Sequence, residues 1–187
     1  MTHLRRHRMQ TYGWLCLLTV GCSGGSSDAL IEQLGHRDPQ VRRSAIQALA
    51  EQYGDDAAIV PALEPVLSDP DMAVRLSAAL ALQRIDPGNE SSRPVIIESL
   101  RAGHATMFLE VGRMGSDAEW AVPTLLKLLS HQQSQIRGLS ARALGEIGVA
   151  DDDVDAALEK RLRDEAPAVR RAAQRALDQI HGSPPTP

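Results

Sequence analysis

Thiols, imidazoles and clustered carboxylates are the groups with which this 187-residue chain could do chemistry, and it has 2 Cys and 6 His. Cys16 and Cys22 share one apolar stretch, where a disulfide between them would close a trivial loop and staple nothing. His36, His104, His131 and His181 are scattered, with no i,i+4 pair and no nearby cysteine to complete a metal set. Asp151, Asp152, Asp153 and Asp155 stand at a predicted helix start, where acids complement the helix dipole. They lack the spaced ligands and the glycine of a calcium loop. There is no Ser-centred elbow, Gly-rich phosphate loop or cysteine nucleophile. The sequence therefore leads us to expect no catalytic residues, no metal and no cofactor.

The polar residue that does recur is arginine. Four segments align without gaps, from His36, Asp69, His131 and Asp164, and their shared arginines are Arg42, Arg75, Arg137 and Arg170. Arg42 and Arg75 are as far apart in sequence as Arg137 and Arg170, whereas the interval from Arg75 to Arg137 is nearly twice as long. A further copy is therefore expected inside it, with the long interval read as two equal, slightly shortened periods. It is found in contracted form as "RPVIIESLRAGHATMFLEVGRMG", with Gly103, His104 and Phe108 where the others have a turn and the arginine. The residue before each arginine is Val41, Val74, Ile136 or Val169; three later come Ala45, Ala78, Ser140 and Ala173; seven later come Leu49, Leu82, Leu144 and Leu177. At roughly 100° per residue these positions share one stripe, so each segment is predicted to be an amphipathic helix.

An apolar helix is predicted ahead of each: 29–34, 60–67, 95–100, 122–129 and 154–162. Pro61, Pro94 and Pro123 fall near three of the starts, where proline is tolerated, whereas Pro65 should kink its helix or delay its start. Asp38 and Asp71 are predicted N-caps, Ser116–Glu119 a capping box, and Gly115, Gly148 and Gly182 helix ends.

The arginines lie at the edge of the buried stripe, beside the next copy. Asp38 and Asp71 precede two of them by four residues, and Asp69 and Asp164 precede theirs by six. That layout predicts a structural ladder of Arg42, Arg75, Arg137 and Arg170 with turn carboxylates such as Asp38 and Asp71, or with carbonyls. The positions one and five after each arginine point away from the stripe. Of these, Arg43, Gln47, Leu76, Leu80, Arg142, Arg171 and Arg175 are the candidate partner-binding residues.

Composition narrows the partner. Aromatics are only 3 %, too few for a stacking platform for bases or sugars. Residues 1–21 hold Arg5, Arg6 and Arg8 and no acid, leaving 17 basic against 24 acidic residues, or −7, for the rest. Such a body has no general attraction for nucleic acid, but its four outward arginines could steer an acidic segment of another protein.

The opening segment has a positive head and a short apolar run from Trp14 to Val20, too short to span a bilayer, which needs about 20 residues. At Thr19-Val20-Gly21-Cys22 it resembles a bacterial lipoprotein signal peptide, although such families usually have Leu where Thr19 stands. The resemblance implies cleavage before Cys22, a lipid on its thiol and a place at the bacterial cell envelope. The expected organisation is a signal peptide at 1–21, a Gly/Ser tether at 22–27, a helical domain at 28–182 and a disordered tail at 183–187.

The unit "WAVPTLLKLLSHQQSQIRGLSARALGEIG" resembles a HEAT repeat, in the short subtype of phycobilisome lyases. The resemblance implies an all-α, armadillo-like α-solenoid of about five helix pairs in a right-handed superhelix, with the second helices lining the concave face. It also implies a non-catalytic scaffold or adaptor that binds protein. Alternatives are a bilin-lyase-like enzyme or accessory acting on a cofactor–protein conjugate, and an envelope spacer without a specific partner.

Overall fold

A computed structural model describes residues 27–56 and 58–182. All its regular structure is helical: α1 (Ser27–Gln33), α2 (Pro39–Gln52), α3 (Ile59–Leu63), α4 (Met72–Ile85), α5 (Arg93–Arg101), α6 (Ala105–Arg113), α7 (Val122–Leu128), α8 (Ser134–Ile147), α9 (Asp152–Arg161) and α10 (Pro167–Ile180). They form five consecutive pairs, with α2, α4, α6, α8 and α10 as the second members. The proposed signal peptide, Cys22 and the tail lie outside the described residues.

Local chemistry sets most boundaries. Asp38 accepts a hydrogen bond from the Gln40 amide at 2.8 Å, and Asp71 from the Ala73 and Val74 amides at 2.8 and 3.1 Å. Pro65 neither kinks a continuous helix nor delays its start: α3 stops at Leu63, and the chain continues as a 3-10 turn over Glu64–Ser68. Gly148 closes α8 at φ 74°, a left-handed conformation that costs glycine little. The predicted capping box at Ser116 does not form. Gly115–Ala121 is a 3-10 segment without a side-chain cap, kinked at Ala118, and α7 starts only at Val122. Gly115, at φ 57°, turns the chain immediately before Ser116.

The contracted copy has a definite register. Arg42, Arg75, Arg137 and Arg170 each stand fourth in a second helix, and Phe108 is fourth in α6. The column thus runs Arg42, Arg75, Phe108, Arg137, Arg170. Its intervals are equal except for the one from Phe108 to Arg137, which is shorter by about one helical turn. The contraction is therefore confined to one period and not shared equally by two. It follows α6, which has 9 residues where the other second helices have 14.

Burial follows the predicted stripe, with Ala45, Leu49, Val74, Ala78, Leu82, Ile136, Ser140, Leu144, Val169 and Ala173 all inside. The interior forms two apolar clusters. One joins the first two pairs through Ile46, Leu49, Ile59, Leu63, Val74 and Leu82. The other joins the last three through Ile96, Phe108, Val111, Leu125, Leu144 and Leu158, and reaches back to Ala79 on α4. The last two pairs pack closest: a Cβ on Gly145 would sit 2.6 Å from the Ala176 Cα.

Candidate functional site

The arginine column is built one way throughout. From the fourth position of a helix, a side chain leans back over the preceding turn. There Nη1 donates to two carbonyls: those of His36 and Arg37 for Arg42, Asp69 and Pro70 for Arg75, His131 and Gln132 for Arg137, and Asp164 and Glu165 for Arg170. The other edge of the guanidinium faces the next pair. For Arg42, Nε and Nη2 each lie 2.7 Å from an oxygen of Asp69. For Arg137 they donate to Asp164 Oδ2 and Oδ1 at 2.9 and 2.8 Å, with Glu165 Oε1 at 3.0 Å.

The forward partner is therefore an acid nearly one repeat after the arginine, at the same sequence separation in both joints. That acid also offers its main-chain carbonyl to the arginine of the following pair. Asp69 thus joins the first pair to the second, and Asp164 the fourth to the fifth. This corrects the expectation for Asp38 and Asp71, whose carboxylates are taken up by the amides of their own helices. They reach Arg42 only through their charge. The Arg42 pKa is raised chiefly by the Asp69 hydrogen bond, and the Asp71 and Asp38 charges add to it against desolvation.

Both joint carboxyls are held below the usual carboxylate range. At Asp69 burial pushes upward, and the Arg42 hydrogen bond, the Asp71 amide and the Arg42 and Arg75 charges outweigh it. At Asp164 the Arg137 hydrogen bond dominates over burial.

The column is interrupted at the middle pair. The position after Arg75 that matches Asp69 and Asp164 is Ala102, and Phe108 replaces the next arginine. Phe108 is 1 % exposed and packs into the larger cluster, so the degenerate copy trades an ion pair for an apolar contact. His104 precedes α6 without capping it through its side chain.

Two open depressions lie along the second helices. One, about 820 Å³, spans α2, α4 and α6 and is lined by Arg43, Gln47, Leu80, Arg84, Arg113 and Met114 among others. The other, about 740 Å³, lies between α8 and α10 and includes Gly138, Leu139, Arg142, Glu146, Ala172 and Arg175. Of the predicted partner-binding residues, Arg43, Gln47 and Leu80 line the first and Arg142 and Arg175 the second. Leu76 instead packs half-buried against the larger cluster, and Arg171 is exposed on α10 but lines neither depression.

Charge is not uniform along this face. Arg142 is held by Glu146 at 2.7 Å and Arg113 by Glu110 at 3.1 Å. Arg43, Arg84 and Arg175 have no carboxylate partner among the described residues. Sequence reasoning missed Arg84. Its signal was present, because Leu80 and Arg84 are one helical turn apart on α4.

Among the described residues no group of His, Cys, Asp and Glu could hold a metal ion, and no helix is long and apolar enough to cross a membrane.

Five stacked helix pairs with a repeating joint define an α-solenoid of the helical-repeat class. The family model for HEAT repeats matches residues 27–111 and 104–178. The chain belongs to the HEAT-repeat family, whose members commonly bind protein partners. Comparison with curated proteins gives no match. Among solved structures, the chain is similar to the complex of CpcE and CpcF of phycocyanin lyase from Nostoc sp. PCC7120, at 21 % identity over 97 % of this chain and 71 % of that one, with a TM-score of 0.59. An engineered protein matches at 24 % identity, 82 % and 78 % coverage and a TM-score of 0.51. A designed armadillo repeat protein, YIII(Dq)4CqI, matches at 17 % identity, 83 % and 82 % coverage and a TM-score of 0.50. These likenesses are of fold.

Proposed function

We propose that the protein is a non-catalytic scaffold or adaptor, anchored through a lipid on Cys22 at the bacterial cell envelope, that binds an acidic segment of another protein. The observation that carries the binding reading is the set Arg43, Arg84 and Arg175. On an acidic protein, three arginines without carboxylate partners among the described residues line the second-helix face, next to apolar Leu80, Met114 and Leu139. Unpaired cations beside an apolar floor complement an acidic, partly apolar peptide. The anchoring reading rests on the sequence from Arg5 to Cys22.

Cross-linking in cells followed by mass spectrometry tests both parts. The expected outcome is one dominant protein partner that is lost in the Arg43→Glu, Arg84→Glu, Arg175→Glu triple variant, from a chain beginning at a lipidated Cys22. Unchanged cross-linking in the triple variant would remove the binding face, and an intact, unmodified Met1 terminus would remove the anchor. The lyase-like alternative has its own readout. A saturable visible-absorption change on titration with a free bilin would replace the scaffold reading.

A further inference from the structure

We propose that the forward edge of Arg75 is a recognition site for a carboxylate on a partner protein, an Asp or Glu side chain that completes the arginine ladder where this chain supplies alanine. The inference rests on the scaffold reading and places a defined chemistry outside the two depressions.

The chain provides its own comparison. At Arg42 and Arg137 the Nε–Nη2 edge holds an aspartate from the next pair, while Nη1 is fixed by two turn carbonyls. Arg75 is fixed in the same way, with Nη1 2.8 Å from the Asp69 carbonyl and 3.3 Å from that of Pro70. Its edge is therefore pre-oriented, and the entropy of ordering a long side chain is already spent. The ladder position in the next pair is Ala102. The nearest carboxylate among the described residues is Glu98, whose Oε1 is 4.0 Å from Nη2 and whose side chain is 63 % exposed. Solvent reaches Arg75, at 22 % side-chain exposure, more readily than Arg42 at 10 % or Arg137 at 7 %. The Met72 sulfur covers the edge at 2.9 Å from Nη2, and a flexible thioether is easily displaced by a charged acceptor.

The test follows the arginine Nε–H signals of the full chain by NMR during titration with two probes, acetate and the capped dipeptide N-acetyl-Asp-Pro-amide, which reproduces the Asp69–Pro70 turn. The Arg75 signal should shift saturably with the dipeptide, half-maximally on the order of millimolar. Arg42 and Arg137 should not respond, because their edges are filled from within. Ala102→Asp should move the Arg75 signal toward that of Arg42 without ligand and abolish the response. Met72→Ala, which uncovers the edge without touching the turn, should tighten binding several-fold.

No saturable shift at Arg75, or an equal shift at exposed Arg101, would overturn the site. Saturation by acetate at the same concentration would overturn the assignment to a protein side chain. The Arg43→Glu, Arg84→Glu variant should leave the titration unchanged, so failure of the groove and failure of this site are separable.

Discussion

Asp164 shows what a joint residue does. Its carboxylate takes two bonds from Arg137, one from the Ala166 amide and a longer one from Arg161 at 3.3 Å, while its carbonyl takes Arg170. A carboxyl with a depressed folded-state pKa binds fewer protons in the folded than in the unfolded chain, where aspartate titrates near about 3.9. Its stabilisation is complete above that value and is lost as pH falls through the lower folded-state value, and the same holds for Asp69. Urea unfolding should therefore show stability falling below about pH 4. Asp164→Asn should cost about 2 kcal/mol at neutral pH, with the gap to wild type narrowing as the pH drops through that window. A pH-independent gap would mean that the charge contributes nothing.

Two glycines of α8, Gly145 buried and Gly138 half-buried, give a second prediction. A methyl on Gly145 runs into the Ala176 backbone, whereas one on Gly138 finds nothing nearer than Val169 Cγ2 at 3.9 Å. Gly145→Ala should destabilise by about 1–3 kcal/mol through overpacking. Gly138→Ala should stabilise by about 0.5–1 kcal/mol through helix propensity. Thermal melts of the two variants should move in opposite directions.

Residues of this kind were only half legible in the sequence. The arginine column and the capping Asp38 and Asp71 could be read because capping is local. The acid that an arginine holds lies nearly a full repeat away, across a joint whose geometry no helical spacing encodes. Gln83, which donates to the Asn89 carbonyl and Ser92 Oγ from inside the fold, was invisible for the same reason: its partners sit in a loop that only tertiary packing places.

At the scale of elements, α6 carries the irregularity. It is five residues shorter than its counterparts and puts the only phenylalanine where they put arginine. Phe108 packs with Ile96, Val111 and Leu144 in the larger cluster. Phe108→Ala should cost about 3–5 kcal/mol, the loss of a large buried side chain and the cavity it leaves. Phe108→Arg should cost at least as much, because Gln135, at the corresponding ladder position of the next pair, offers no carboxylate. Chemical denaturation of both variants checks this, and rescue by arginine would show that the column keeps its polar role here. The long second helices were readable from periodicity because each buries an apolar stripe, whereas α1 buries no residue fully. The register of the third pair was not, since an aligned arginine is the landmark and Phe108 removes it.

At the scale of the molecule, two observations coincide at one joint. The apolar interior divides along α4, with Val74, Ala78 and Leu82 turned to the first cluster and Ala79 to the second. The Arg75–Ala102 joint, which has no ion pair of the Arg42–Asp69 kind, links the same two halves. The next joint shows no ion pair among the described residues, but α6 and α8 approach closely there, with Gly112 packed against Glu146 and a Cβ on Gly103 reaching the Ile136 side chain. Bending should therefore concentrate between the second and third pairs, where the ion pair is only the long, exposed Arg75–Glu98 contact at 4.0 Å and the larger cluster takes in only the edge of α4. Spin labels on a chain with Cys16 and Cys22 replaced by serine can measure it. Labels at positions 40 and 73 span the Arg42–Asp69 joint, those at 135 and 168 the Arg137–Asp164 joint, and those at 73 and 106 the seam. The first two pairs should give narrow distance distributions and the third a broad one. Ala102→Asp should narrow the third alone, by giving Arg75 the carboxylate that Arg42 and Arg137 already hold. Equal widths in all three would mean that the solenoid is uniformly stiff, and that the break in its ladder is silent.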